Sequence, residues 1–219
     1  MISLLLVGST VVLAIGLWLH FHSHRGSDPK DPNSWTVGPI INGERISSGL
    51  PLHPVAIPDG IAIDVPYPTQ ENGSAHYLDY DVDPDALKGK SCIKFQVRVI
   101  AEPTVWIAPV NYPQSIGTLT PYFRRRGDNW GESHEAYRWY AKFASVALRP
   151  GGVYDIVAPL DGDWTAVLTS SRTNNPKAFA AAVADVWQIG AVLGGGDGVG
   201  HGIYATGPAR IELLNWSIE

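Results

Sequence analysis

Between Ser91 and Ile100 the chain alternates without a break: Ile93, Phe95, Val97 and Val99 fall on one side of an extended backbone, and Lys94, Gln96 and Arg98 on the other. A period of two is what a strand with one dry and one wet face requires, because successive side chains point to opposite faces. The run from Tyr137 repeats the pattern, with Tyr137, Trp139, Ala141 and Phe143 opposite Arg138, Tyr140 and Lys142. Further strands are expected at 61–65, 105–110, 152–158, 165–169, 187–193 and 209–218. Turn formers such as Asn72-Gly73, Lys88-Gly89 and Asp161-Gly162 separate them. The 23 glycines and 17 prolines in 219 residues oppose a mainly helical protein, since an interior Gly costs ~1 kcal/mol and an interior Pro ~3 kcal/mol in a helix. Short strands at this spacing specify a sandwich or barrel.

One helix is expected. Asn175 suits an N-cap, Pro176 suits the first helical position, and Phe179, Ala182, Val183 and Val186 recur at helical spacing. The expected core contains Ile93, Phe95, Val97, Val99, Trp139, Phe143, Ile156, Phe179, Val183, Ile211 and Leu213. A buried Phe143 implies a loss of ~3–5 kcal/mol on truncation to Ala.

The N-terminal segment stands apart. Residues 2–21 carry no formal charge, and twenty residues at 1.5 Å each match a ~30 Å hydrocarbon layer. No basic start or small-residue cut site marks a cleaved signal, so the expectation is a single transmembrane anchor over 1–22. A polar linker at 23–34 and one domain at 35–219 complete the organisation. The expected protein is thus a single-pass membrane protein with its domain outside the cytoplasm. Arg25 and Lys30 taken alone vote the other way by the positive-inside bias, diluted by Asp28 and Asp31.

Charge and cysteine content narrow the function. A net charge of −5 opposes nucleic-acid binding through an overall field, and a single cysteine, Cys92, excludes an internal disulfide framework and a Cys-rich zinc site. No cofactor is expected. Asp79, Asp81, Asp83 and Asp85 offer oxygen ligands for a structural calcium, with a solvated acidic turn as the simpler reading. The glycine-rich stretch 194–202 lacks the Lys-Ser or Lys-Thr pair of a phosphate loop. It reads as an inter-strand loop, with a ligand rim at Asp197 and His201 as the alternative. Arg124-Arg125-Arg126 reads as a solvated basic turn that, beside Trp130, has the means to grip an anionic polymer.

The succession from Gly152-Val153-Tyr154-Asp155-Ile156-Val157 through Asp163-Trp164, the alanine-rich 179–186 and the closing Ala209-Arg210-Ile211-Glu212-Leu213 resembles galactose-binding-like β jelly rolls, which include carbohydrate-binding modules. The resemblance covers residues 152–218 and rests on order and spacing. It implies a jelly-roll sandwich and a carbohydrate or polysaccharide partner.

The expected ligand face joins the wet sides of the two best-defined strands: Gln96 and Arg98 with Arg138, Tyr140 and Lys142, and Trp130 as a stacking platform at the rim. If the two strands share a sheet, these groups suit a carboxylated or phosphorylated glycan. The leading expectation is a non-catalytic, membrane-anchored module for such a glycan. The alternatives are a structural or assembly protein of a cell or virion surface, and a polysaccharide lyase or glycoside hydrolase. For the enzyme, Glu132, His134 and Glu135, with Asp128 nearby, supply acids and a base in one short segment, and Gln96, Arg98, His134, Arg138 and Tyr140 supply lyase-type groups.

Overall fold

A computed structural model of the chain describes residues 28–68, 74–196 and 199–219. Among the described residues there are fifteen strands, eleven of which form two principal antiparallel sheets. The first contains β1 (Trp35–Gly38), β6 (His76–Asp81), β9 (Thr118–Arg125), β10 (Arg138–Tyr140), β11 (Val146–Ala147) and β13 (Val186–Gly194). Its spatial order is β1-β6-β13-β9-β10, with β11 also paired to β9. The second contains β4 (Val55–Ile57), β5 (Gly60–Asp64), β7 (Cys92–Ala101), β12 (Val153–Pro159) and β15 (Ala209–Ile218), in the order β12-β7-β15-β5-β4. Two small ribbons, β2 (Ile40–Ile41) with β3 (Glu44–Arg45) and β8 (Ile107–Pro109) with β14 (Ile203–Ala205), complete the set.

The two sheets enclose one core. Ile93, Phe95, Val97 and Val99 of β7 and Ile211 and Leu213 of β15 pack inward from one sheet, and Leu78, Tyr80, Phe123 and Trp139 from the other. Trp216 bridges them, with its ring centroid 5.9 Å from that of Trp35 and 4.8 Å from that of Tyr80. The single α-helix described, α1 (Pro176–Val183), starts with Pro at its first position as expected. It closes one end of the core: Phe179 lies 5.1 Å from Trp139 and 5.7 Å from Phe123, ring to ring.

Several expectations need correction. The described residues form an all-β sandwich, and the expected N-terminal membrane helix finds no support in it: no helix among the described residues is long and apolar enough to cross a membrane. The segment 2–21, for which an anchor was expected, lies outside the described residues. The alternation from Tyr137 holds only through Ala141. Strand β10 ends at Tyr140 and residues Lys142–Ala144 form a 3-10 turn, which rotates Phe143 out to 48% exposure against the edge of Trp164. Tyr137 belongs to the preceding 3-10 segment (Glu132–Tyr137), its ring under the Arg125 guanidinium. Of the strand expected at 165–169, only a bridge at Thr165 forms. Val183 is partly buried at the margin of the core.

Candidate functional site

Strand pairing sets the outer face of the first sheet in rows. Asp79, Gly190, Tyr122 and Tyr140 stand in register on neighbouring strands, and Asp81, Gln188, Arg124 and Arg138 form the next row. Tyr77 pairs across to Val192 beside them. These side chains are not a solvated sheet surface. Tyr77, Tyr122, Tyr140 and Val192 make a second, smaller apolar cluster, with Trp130 and Val199 packed against it.

Hydrogen bonds join most of the polar groups within each row, as burial favours. In the first row Tyr122 donates its hydroxyl to Asp79 Oδ1. Gly190 lies between them, so no side chain obstructs that reach; a Cβ there would collide with the Leu78 carbonyl. Burial raises the Asp79 carboxyl to about 6, against the opposing pull of Arg124 and the Tyr122 hydroxyl. In the second row Gln188 Nε2 donates to Asp81 at 2.6 Å, and Arg124 Nε donates to Gln188 Oε1 at 2.6 Å.

Arg124 and Arg138 are direct cross-strand partners, a like-charge pairing that needs compensation. Asp128 supplies it. Its Oδ2 lies 3.2 Å from Arg138 Nε and 3.8 Å from Arg124 Nη1, and its side chain is wholly buried. Burial raises the Asp128 carboxyl, with Arg138 the main opposing influence. The same aspartate accepts the Trp130 N–H at 3.0 Å, an Asx-type turn that holds Trp130 at φ +65°. That left-handed backbone is unusual for so large a residue, and it places the indole against both cations. The Trp130 ring centroid is 4.7 Å from Arg124 Cζ and 5.0 Å from Arg138 Cζ, while Trp187 covers Arg124 at 4.3 Å.

Above this floor lies a cavity of about 340 Å³ bounded by Tyr77, Trp130, Arg138, Tyr140, Lys142 and His201. The Tyr77 and Tyr140 hydroxyls meet at 3.0 Å, and burial raises both phenols above their ordinary value. Its walls are pinned. Thr165 continues the sheet past Tyr140 through a reciprocal pair of backbone hydrogen bonds of 2.8 and 3.0 Å. Glu135 then anchors the following turn, accepting from Ser170 Oγ at 2.6 Å and from the Leu168 N–H at 3.3 Å. Gly200, at φ +82°, passes so close to the Tyr77 ring that a Cβ would clash with its hydroxyl.

Four of the six expected ligand residues, Trp130, Arg138, Tyr140 and Lys142, thus line one cavity. Gln96 and Arg98 do not. They sit on β7 in the opposite sheet, where Gln96 donates to Asp155 at 2.9 Å and Arg98 pairs with Glu212 at 2.6 Å, so the two wet faces never merge. Arg138 and Tyr140 are buried, contrary to the expectation of a wet face, because Trp130 and the 165–171 turn cover them. Asp79 and Arg124 are likewise strand residues rather than members of solvated turns. Of the glycine stretch, His201 reaches the cavity rim and Asp197 lies outside the described residues. The sequence offered no site role for Tyr77 or Tyr122, although Tyr77, Asp79 and Asp81 alternate with Leu78 and Tyr80, and it offered Asp79 and Arg124 only as a calcium ligand and as part of a basic turn.

No protein-family model matches the chain, and no curated protein matches it either. Its chemistry therefore has to be read from the side chains.

Two arrangements with catalytic overtones carry other roles. Ser74 Oγ lies 3.2 Å from His76 Nε2, the spacing of a nucleophile and its base. The His76 Nδ1, however, accepts the Ile203 N–H at 3.1 Å, so the proton sits on Nε2, which also faces the Ser48 carbonyl at 3.2 Å. That tautomer has no lone pair for the serine, and burial lowers the imidazole to about 4. In the other segment, Glu135 holds a turn and His134 packs on Tyr137 while bonding to Ser133. Among the described residues no group of three or more His, Cys, Asp or Glu is placed to hold a metal ion. Within the proposed calcium cluster, Asp79 and Asp81 instead accept from Tyr122 and Gln188.

Proposed function

We propose that this chain is a carbohydrate-binding β-sandwich module that holds an acidic glycan in the cavity over Tyr77 and Tyr140. The observation that carries the reading is the convergence there of two phenols and an indole with Arg138 and Lys142. Sugar rings present flat C–H faces that pack on aromatic side chains, and hydroxyls that need donors and acceptors held in place; this cavity offers both. Lys142 adds a charge-assisted donor for a carboxylate or phosphate. The resemblance of residues 152–218 to galactose-binding-like jelly rolls points the same way.

Binding is favoured over lyase chemistry because the phenols are held protonated by burial, where a tyrosine base would have to lose its proton readily. Calorimetric titration of the full chain with a panel of acidic and neutral oligosaccharides tests the reading. Affinity for an acidic member should weaken with added salt and fall at least ten-fold in Trp130→Ala. Binding to no member of the panel, or binding unchanged in Trp130→Ala, would overturn it.

An assembly role is the second reading, favoured by Val153 and Val157 standing exposed on edge strand β12. Sedimentation of the full chain across a concentration series would show self-association lost in Val153→Asp/Val157→Asp if that face joins copies.

A further inference from the structure

We infer that the cavity reads the end of a glycan chain: it admits one terminal sugar unit and recognises that unit's carboxylate through Lys142. This rests on the carbohydrate reading above and adds which part of the glycan is bound and which group reads its charge.

The first ground is shape. The cavity is walled by four separate segments: Pro39 to Ile46 around the β2–β3 ribbon, Trp130, the Ala166–Val167 turn, and Val199 to His201. A groove that followed a polymer across the sheet would have to continue over the next row of side chains. That row is filled, because the Trp130 and Trp187 rings both pack on Arg124, which spans the space with its bond to Gln188. At about 340 Å³ the cavity also lies at the small end of ligand sites, which run roughly 300–1,000 Å³. A site closed along the sheet and of this size fits a ring entering end-on.

The second ground is charge. Arg124 and Arg138 are buried, share Asp128 and are covered by the Trp130 and Trp187 rings, so their guanidinium groups are engaged within the protein before a ligand arrives. Lys142 stands exposed at the cavity mouth and makes no ion pair among the described residues. Across the mouth is His201, whose Nδ1 accepts from Asn111 at 3.0 Å, and on the floor are the Tyr77 and Tyr140 hydroxyls, whose hydrogen bond among the described residues is to each other. A carboxylate on Lys142 and ring hydroxyls on the tyrosines would use the polar groups that the described lining presents to the cavity.

The test is calorimetry on the full chain with galacturonic acid, its linear hexamer, and neutral galactose with its own oligomers as probes. Expected are monomer and hexamer affinities within about three-fold of one another per chain, a preference for the acid over galactose of ten-fold or more, and loss of that preference in Lys142→Met with recovery in Lys142→Arg. Affinity rising more than ten-fold from monomer to hexamer would overturn end-on recognition, and an acid preference that survives Lys142→Met would overturn the role of Lys142. Either result leaves a carbohydrate module standing. Failure of every probe, charged or neutral, short or long, overturns this inference together with the reading it rests on.

Discussion

At Phe143 and Phe123 two phenylalanines of equal size have opposite weights. Phe123 is wholly buried between Trp164 and Phe179, whereas Phe143 leaves about half its surface in water. Phe123→Ala should therefore cost about 3–5 kcal/mol, and Phe143→Ala about 1 kcal/mol or less, measured by chemical denaturation. A large loss at Phe143 would mean that β10 runs on past Tyr140. Asp128 makes the sharper case. It is the counter-ion shared by two cross-strand arginines and anchors the Trp130 turn, so Asp128→Ala leaves both guanidinium groups in a buried site without it. Removing one partner of a buried pair costs about 3–5 kcal/mol, and this variant should also lose the ligand through a displaced Trp130. Denaturation and titration of the one variant read both effects. Preserved stability would show that water reaches the arginines.

At the level of elements, β6 carries two buried groups whose titrations oppose one another. Asp79 has a folded value of about 6 against an ordinary 3.8, so the native state holds its proton more tightly, and the stabilising contribution present below pH ~4 is lost as pH rises through 6. His76 is depressed to about 4 from 6.5, so its contribution is present above pH 6.5 and lost as pH falls towards 4. Each shift spans two units or slightly more, worth about 3 kcal/mol, and between pH 4 and 6 the two slopes nearly cancel. The groups facing Asp79 are the Tyr122 hydroxyl, Arg124, Asp81 and Asp128; those facing His76 are Ser74, the Ser48 carbonyl and the Ile203 N–H. Stability against pH should be nearly flat over this window in the unaltered chain. Asp79→Asn should show stability falling as pH drops from 6.5 to 4, and His76→Gln should show stability falling as pH rises from 4 to 6. Parallel curves for all three proteins would remove both assignments. The elements that bear these groups were the least legible. Strand β6 is buried on both faces through His76 to Tyr80, and β9 through Leu119 to Arg124, so the hydrophobic alternation that exposed β7 is absent from β9 and is reduced in β6 to Leu78–Asp81. Pro121 within β9 and the run of arginines at its end further resemble a turn.

For the molecule as a whole, the sandwich has two outer faces of different character. That of the second sheet carries charges satisfied pair by pair, Lys94 with Glu219 and Arg98 with Glu212, and its Gln96 is bound to Asp155. The other face carries a buried aromatic and ionic layer under a walled cavity. Gln96→Ala/Arg98→Ala should accordingly leave the affinity for any ligand of the cavity within two-fold of the unaltered chain, as measured by calorimetry. A larger loss would place the ligand on the second sheet. Local patterning by itself determined much of this protein. The alternation of β7, the extent of β15 at Ala209–Ile218, and the helix start at Asn175-Pro176 all follow from side-chain period and backbone preference within a few residues. It also put Trp130, Arg138, Tyr140 and Lys142 together, because they lie within thirteen consecutive positions. Which strands share a sheet is a different kind of fact. Arg98 and Arg138 have the same local pattern on opposite sides of the core, and Tyr77 meets Tyr140 only because β6, β13, β9 and β10 are neighbours in space. Pairing and register arise from long-range hydrogen bonds and from burial between sheets. No window of neighbouring residues contains them, and so the cavity came only with the tertiary structure.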